Sequence, residues 1–73
     1  MQAADILIHL NANLTQQEKY QIETNLRNID GVIAPRFSGE HLLLVYYNLG
    51  KTSARVLYDF VRASGYKAQL IGL

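Results

Sequence analysis

Four side chains of this 73-residue chain have the chemistry to hold a metal ion: His9, His41, Glu18 and Glu40. Imidazole and carboxylate donors suit Zn(II), Ni(II) or Cu(II). No cysteine is present, so the thiolates that soft ions such as Cu(I) and Hg(II) require are missing. His9 closes one apolar run and His41 opens another, which puts both at one end of a sheet together with Glu18 and Glu40. Period-two alternation, however, sends the two rings to opposite faces. The expectation is that neither a metal nor a cofactor is bound.

Thr15 and Glu18 have a second role open to them. A Thr followed three residues later by Glu forms a capping box, in which each side chain accepts a hydrogen bond from a free backbone N–H at a helix start. Nothing in the chain reads as an enzyme. It has no identifiable nucleophile–base pair, phosphate loop or paired carboxylates, and no arginine near Asn11–Thr15 to hold an anion. The net charge of +1, with seven basic residues spread from Lys19 to Lys67, is too weak and diffuse for binding nucleic acid or a membrane surface. RNA binding on a sheet face needs several stacking aromatics, and Tyr46 is the only one available. MQAADILIHL lacks the basic and long apolar parts of a signal peptide. No apolar run approaches the ~20 residues of a membrane span. A cytoplasmic location is expected, either alone or as the cytosolic domain of a membrane transporter.

The elements that position these residues follow from pattern. Asp5–Leu10 is a short aliphatic strand closed by the Asn11–Asn13 cluster. A helix starts at Thr15, carries Ile22, Leu26 and Ile29 on one stripe, and is closed by Gly31. Val32–Phe37 is a strand that Pro35 confines to a sheet edge or a bulge. Ser38-Gly39-Glu40 turns the chain into Leu42–Tyr47, its most apolar run, which Asn48-Leu49-Gly50 ends. Thr52 or Ser53 caps a second helix with the stripe Val56, Leu57, Phe60 and Val61, and an Arg55–Asp59 pair on its wet side. Gly65 ends that helix, Tyr66 packs back on it as a core aromatic, and Tyr66–Ile71 is the last strand. The whole, residues 1–73, is one α+β domain with a ferredoxin-like βαββαβ plan. In that plan two helices cover one face of a four-stranded antiparallel sheet of order 4-1-3-2.

Four segments carry a resemblance: the IETNL of the first helix, Gly31-Val32 after it, Val45-Tyr47-Asn48, and the GYKA at Gly65–Ala68. In order and spacing the chain resembles the heavy-metal-associated domains of copper chaperones, mercury-binding proteins and the amino-terminal regions of metal-pumping P-type ATPases. Their counterparts are IExxL, GV, VxYD and GYxA. The resemblance covers nearly the whole chain and implies the fold. It also implies where a CxxC metal site would stand, with Thr15 and Glu18 in place of its two cysteines and Ala12 and Asn13 in place of the preceding Gly-Met. Lys19 stands where that family has an apolar residue, so this end does not read as a dry metal pocket.

With Ile6, Ile8, Leu10, Leu43, Val45 and Tyr47 turned to the helices, alternation sends Leu7, Leu42, Leu44 and Tyr46 to the other side, extended by Ile71. A half-solvated antiparallel sheet should be polar there. An apolar patch of this kind marks a contact surface, and a domain so small gains from a partner. The leading expectation is a non-catalytic domain that has lost its thiolate site. It would act as a protein-interaction or regulatory module, for example at the amino terminus of a metal-transporting ATPase. The partner would be another protein, or a second copy in a weak homodimer. Two alternatives stand beside it: metal binding or trafficking through the His and carboxylate ligands, and an ACT-like small-molecule sensor, whose glycine-bearing first loop is absent here.

Overall fold

The computed structural model describes residues 2–71, so the single domain expected over 1–73 extends past the described residues at both ends. Six elements run in the order β1 (Ala3–Leu10), α1 (Gln16–Arg27), β2 (Val32–Ser38), β3 (Leu42–Asn48), α2 (Ala54–Ala63) and β4 (Ala68–Ile71). The strands form one antiparallel sheet of order β2-β3-β1-β4. This is the ferredoxin-like arrangement, with the two most apolar strands in the centre.

Alternation in the central strands builds the core. Ile6, Ile8 and Leu10 of β1 and Leu43, Val45 and Tyr47 of β3 are buried against Ile22 and Leu26 of α1 and Leu57 and Val61 of α2. The stripe of α2 is rotated from the one its sequence suggests. Val56, expected inside, is 51% exposed. The helix begins at the Ser53 cap, whose side chain accepts from Val56 N–H. That phase turns Ala54, Leu57, Tyr58, Phe60 and Val61 toward the core at three- and four-residue steps and leaves Val56 on the flank. Tyr58 also donates its hydroxyl to Ala68 O at 2.9 Å, tying α2 to β4.

The edge strand β2 is blunted in three ways. It carries a register shift between Val32 and Ala34. Pro35 has no N–H to offer. The N–H of Phe37 donates to Glu23 Oε2 of α1 at 2.9 Å. Gly31, with φ +100°, turns the chain from α1 into β2. A Cβ there would lie 2.8 Å from Lys51 Cβ, so the backbone passes too close to the β3–α2 loop for any side chain.

Candidate functional site

The start of α1 is where the resemblance sets a thiolate site. In this structure it is a closed hydrogen-bond circuit. Thr15 N–H donates to Glu18 Oε1 at 2.9 Å, and Glu18 N–H donates to Thr15 Oγ1 at 3.1 Å. Thr15 has extended backbone geometry, as an N-cap residue should. The loop before it is held by Asn11 N–H donating to Lys67 O, and by the buried Leu14. Thr15, Gln17, Glu18 and Gln21 then line a shallow depression of about 260 Å³, with Tyr66 on its far side. A hydroxyl and a carboxylate engaged in this way are hard donors already satisfied by backbone, a poor match for a soft ion.

The two histidines do not point to opposite faces. Their ring centroids are 5.6 Å apart, with the planes tilted by 34°. The expectation failed because His41 lies in the turn before β3, where strand alternation does not apply. Its Nδ1 sits 3.2 Å from Leu10 O, which swings the ring toward β1 and His9. The carboxylates do not join them. Glu18 is committed to the helix cap, and Glu40 lies 3.9 Å from Lys19 Nζ. Among the described residues no three His, Cys, Asp or Glu side chains come together.

Lys19 is the residue that sequence reasoning placed least well. It is only 7% exposed, with its stem under the β2–β3 hairpin and its ammonium 3.4 Å from Gly39 O. The ammonium also stands 5.9 Å from the centre of the Phe37 ring. A long flexible stem lets a lysine fill an apolar position and still bring its charge to the edge. One turn past the cap, Lys19 thus does the packing of the apolar residue expected there. A cleft of about 450 Å³ opens beside it, lined by Gln16, Tyr20, Glu23, Phe37 and Glu40.

On the side of the sheet away from the helices, the register aligns the apolar residues in rows. Leu7 pairs with Leu44 on one side and Ile71 on the other, and Leu44 pairs with Arg36. In the neighbouring rows, Leu42 lies between His9 and Ser38, and Tyr46 lies between Asp5 and Ala34. Tyr46 is 40% and Ile71 36% exposed, while Leu7, Leu42 and Leu44 are half-buried by their neighbours.

No protein-family profile matches the chain, and no curated protein sequence matches it. Solved structures do. The amino-terminal domain of a potential copper-translocating P-type ATPase from Bacillus subtilis, in its Cu(I)-loaded state, superposes with a TM-score of 0.86 at 24% identity, covering 97% of this chain and 90% of that one. The two share the ferredoxin-like fold. Oxidized MerP from Ralstonia metallidurans CH34 matches with a TM-score of 0.84 at 12% identity, over 97% of this chain and all of that one. A copper-binding domain from the P-type ATPase HMA7 matches at 0.83 and 13%, over 93% of each. At these identities the likeness is one of fold.

Proposed function

We propose that this is a non-catalytic domain of the heavy-metal-associated kind whose thiolate site has been replaced by a helix cap, and which acts by docking through its open sheet face. The observation that carries this reading is the apolar row Ile71–Leu7–Leu44, flanked by Leu42 and Tyr46, on the side where a half-solvated sheet would be polar. The structural neighbours from P-type ATPases support a place in metal transport, with this chain a regulatory or docking domain of such a transporter or a small partner of one. No helix among the described residues is long and apolar enough to cross a membrane.

Photo-crosslinking tests the docking face whatever protein covers it. A photoreactive residue at position 44 is expected to give defined adducts in the cell that makes the protein. The same residue at position 55, on the outer side of α2, is expected to give none. Equal adducts from both positions, or none from position 44, would overturn the reading.

One observation favours a second reading. The close approach of His9 and His41 offers two imidazoles to a borderline divalent cation such as Zn(II), Ni(II) or Cu(II). Two donors without a third protein ligand make a weak site, so this reading ranks below the first. Isothermal titration with Zn(II), comparing the chain with His9→Ala, tests it directly.

A further inference from the structure

The open face carries two exposed charges that the apolar rows do not explain, Asp5 on β1 and Arg36 on β2. Among the described residues neither makes an ion pair. Register fixes where they stand. Asp5 is level with Tyr46 and Arg36 is level with Leu44, and β3 runs between the strands that bear them. With strands ~4.8 Å apart and same-face residues ~6.8 Å apart along a strand, the two charges are separated by about 12 Å. The midpoint of the line joining them falls on β3 between Leu44 and Tyr46, inside the apolar patch.

Opposite charges placed symmetrically about an apolar centre make the surface complementary to itself. A two-fold axis lying in the plane of the face, perpendicular to that line at its midpoint, sets Asp5 of one copy over Arg36 of the other. It sets Leu44 and Tyr46 against the same residues of the other copy. Taking the reading of the open face as a contact surface as our starting point, we propose that its occupant is a second copy of this chain. The copies dock about that axis, and each Asp5 meets the partner's Arg36. Such an interface is isologous, with every contact made twice.

Edge-to-edge pairing is not available at β2. Its bulge, Pro35 and the Glu23 bond to Phe37 N–H leave no row of free donors there. Four strands averaging about 20 Å in length make a face of roughly 400 Å² per copy, below the size of stable interfaces, so the dimer is weak and transient. In such an interface charge placement selects the docking orientation more than it adds affinity.

The test is sedimentation equilibrium of the purified chain at low salt, up to roughly 1 mM, the range in which contacts worth about 4 kcal/mol are seen. Wild type is expected to self-associate. Asp5→Arg and Arg36→Asp are each expected to weaken self-association roughly tenfold, because each sets like charges together twice. Mixing the two variants re-creates both opposite-charge contacts, so the mixture is expected to associate as wild type does. The double variant Asp5→Arg/Arg36→Asp is expected to do so alone. A strictly monomeric wild type overturns the proposal. So does a mixture that associates no better than its components. Leu44→Lys separates the two levels of the argument. If it abolishes association while the mixture is not restored, the face is the contact surface and the two-fold arrangement is wrong.

Discussion

Thr15 and Glu18 bind each other's backbone: the hydroxyl oxygen of Thr15 accepts from Glu18 N–H, and the carboxylate of Glu18 accepts from Thr15 N–H. The resemblance to heavy-metal-associated domains puts the two cysteines of that family at these positions. On the proposed reading, a capping box in place of thiols turns a site open to a ligand into one closed on itself. It also stabilises the helix start, which such a small domain needs.

Returning both cysteines, Thr15→Cys with Glu18→Cys, is expected to create a Cu(I) site, since the loop and helix hold the fold's geometry. Loss of the capping box is expected to lower the stability of the metal-free form by about 1–2 kcal/mol. Urea unfolding with and without Cu(I) measures both. A well-folded double variant that ignores Cu(I) would show that the loop has moved away from the metal-binding shape.

Lys19 contributes through its buried stem rather than its charge. The ammonium faces a Glu40 carboxylate whose side chain is 79% exposed, and such a pair stabilises little. Lys19→Met is therefore expected to stay within about 0.5 kcal/mol of wild type, whereas Lys19→Ala is expected to cost about 1–2 kcal/mol by removing the packing over Phe37. Equal losses from both substitutions, read from unfolding midpoints, would mean that the charge is the important part.

The two positive-φ glycines that follow the helices, Gly31 in the turn into β2 and Gly65 directly after the α2 cap, differ in a measurable way. Gly31 and Gly65 both have positive φ, near +100°. Only at Gly31 would a Cβ collide with a neighbour, Lys51; nothing lies within 4 Å of a Cβ at Gly65. Gly65→Ala is expected to cost about 1 kcal/mol, the strain of the left-handed conformation alone. Gly31→Ala is expected to cost at least about 1 kcal/mol more, from the clash. Thermal unfolding of the pair tests whether the α1–β2 turn is packed as closely as the structure has it.

Much of this molecule was legible in its sequence because the signals are local. Thr15 and Glu18 cap α1 through bonds spanning three residues, Ser53 does the same for α2, and Gly65 closes α2 through its own backbone geometry; α1, by contrast, ends at Arg27 with Asn28 as its cap, so Gly31 serves the turn into β2 rather than the helix end. The apolar runs of β1 and β3 place themselves in the centre of the sheet. What escaped depends on longer-range geometry. The His41 ring follows a turn rather than a strand, so alternation could not predict its approach to His9. Lys19 is buried because its stem suits an apolar niche, although its charge marks it as a surface residue. Val56 lies outside because the phase of α2 is set by Ser53, and apolar character alone does not reveal phase. The hydroxyl of Tyr58 finds Ala68 O only once α2 and β4 are packed together.

The most direct measurement is a competition titration of the metal-free wild-type chain with Cu(I) against a chelator of known affinity. Cysteine-free, with Thr15 and Glu18 closed into a cap, the chain is expected to bind Cu(I) no more tightly than ~1 µM, about −8 kcal/mol. Stoichiometric uptake at nanomolar affinity would contradict the proposed loss of a soft-metal site.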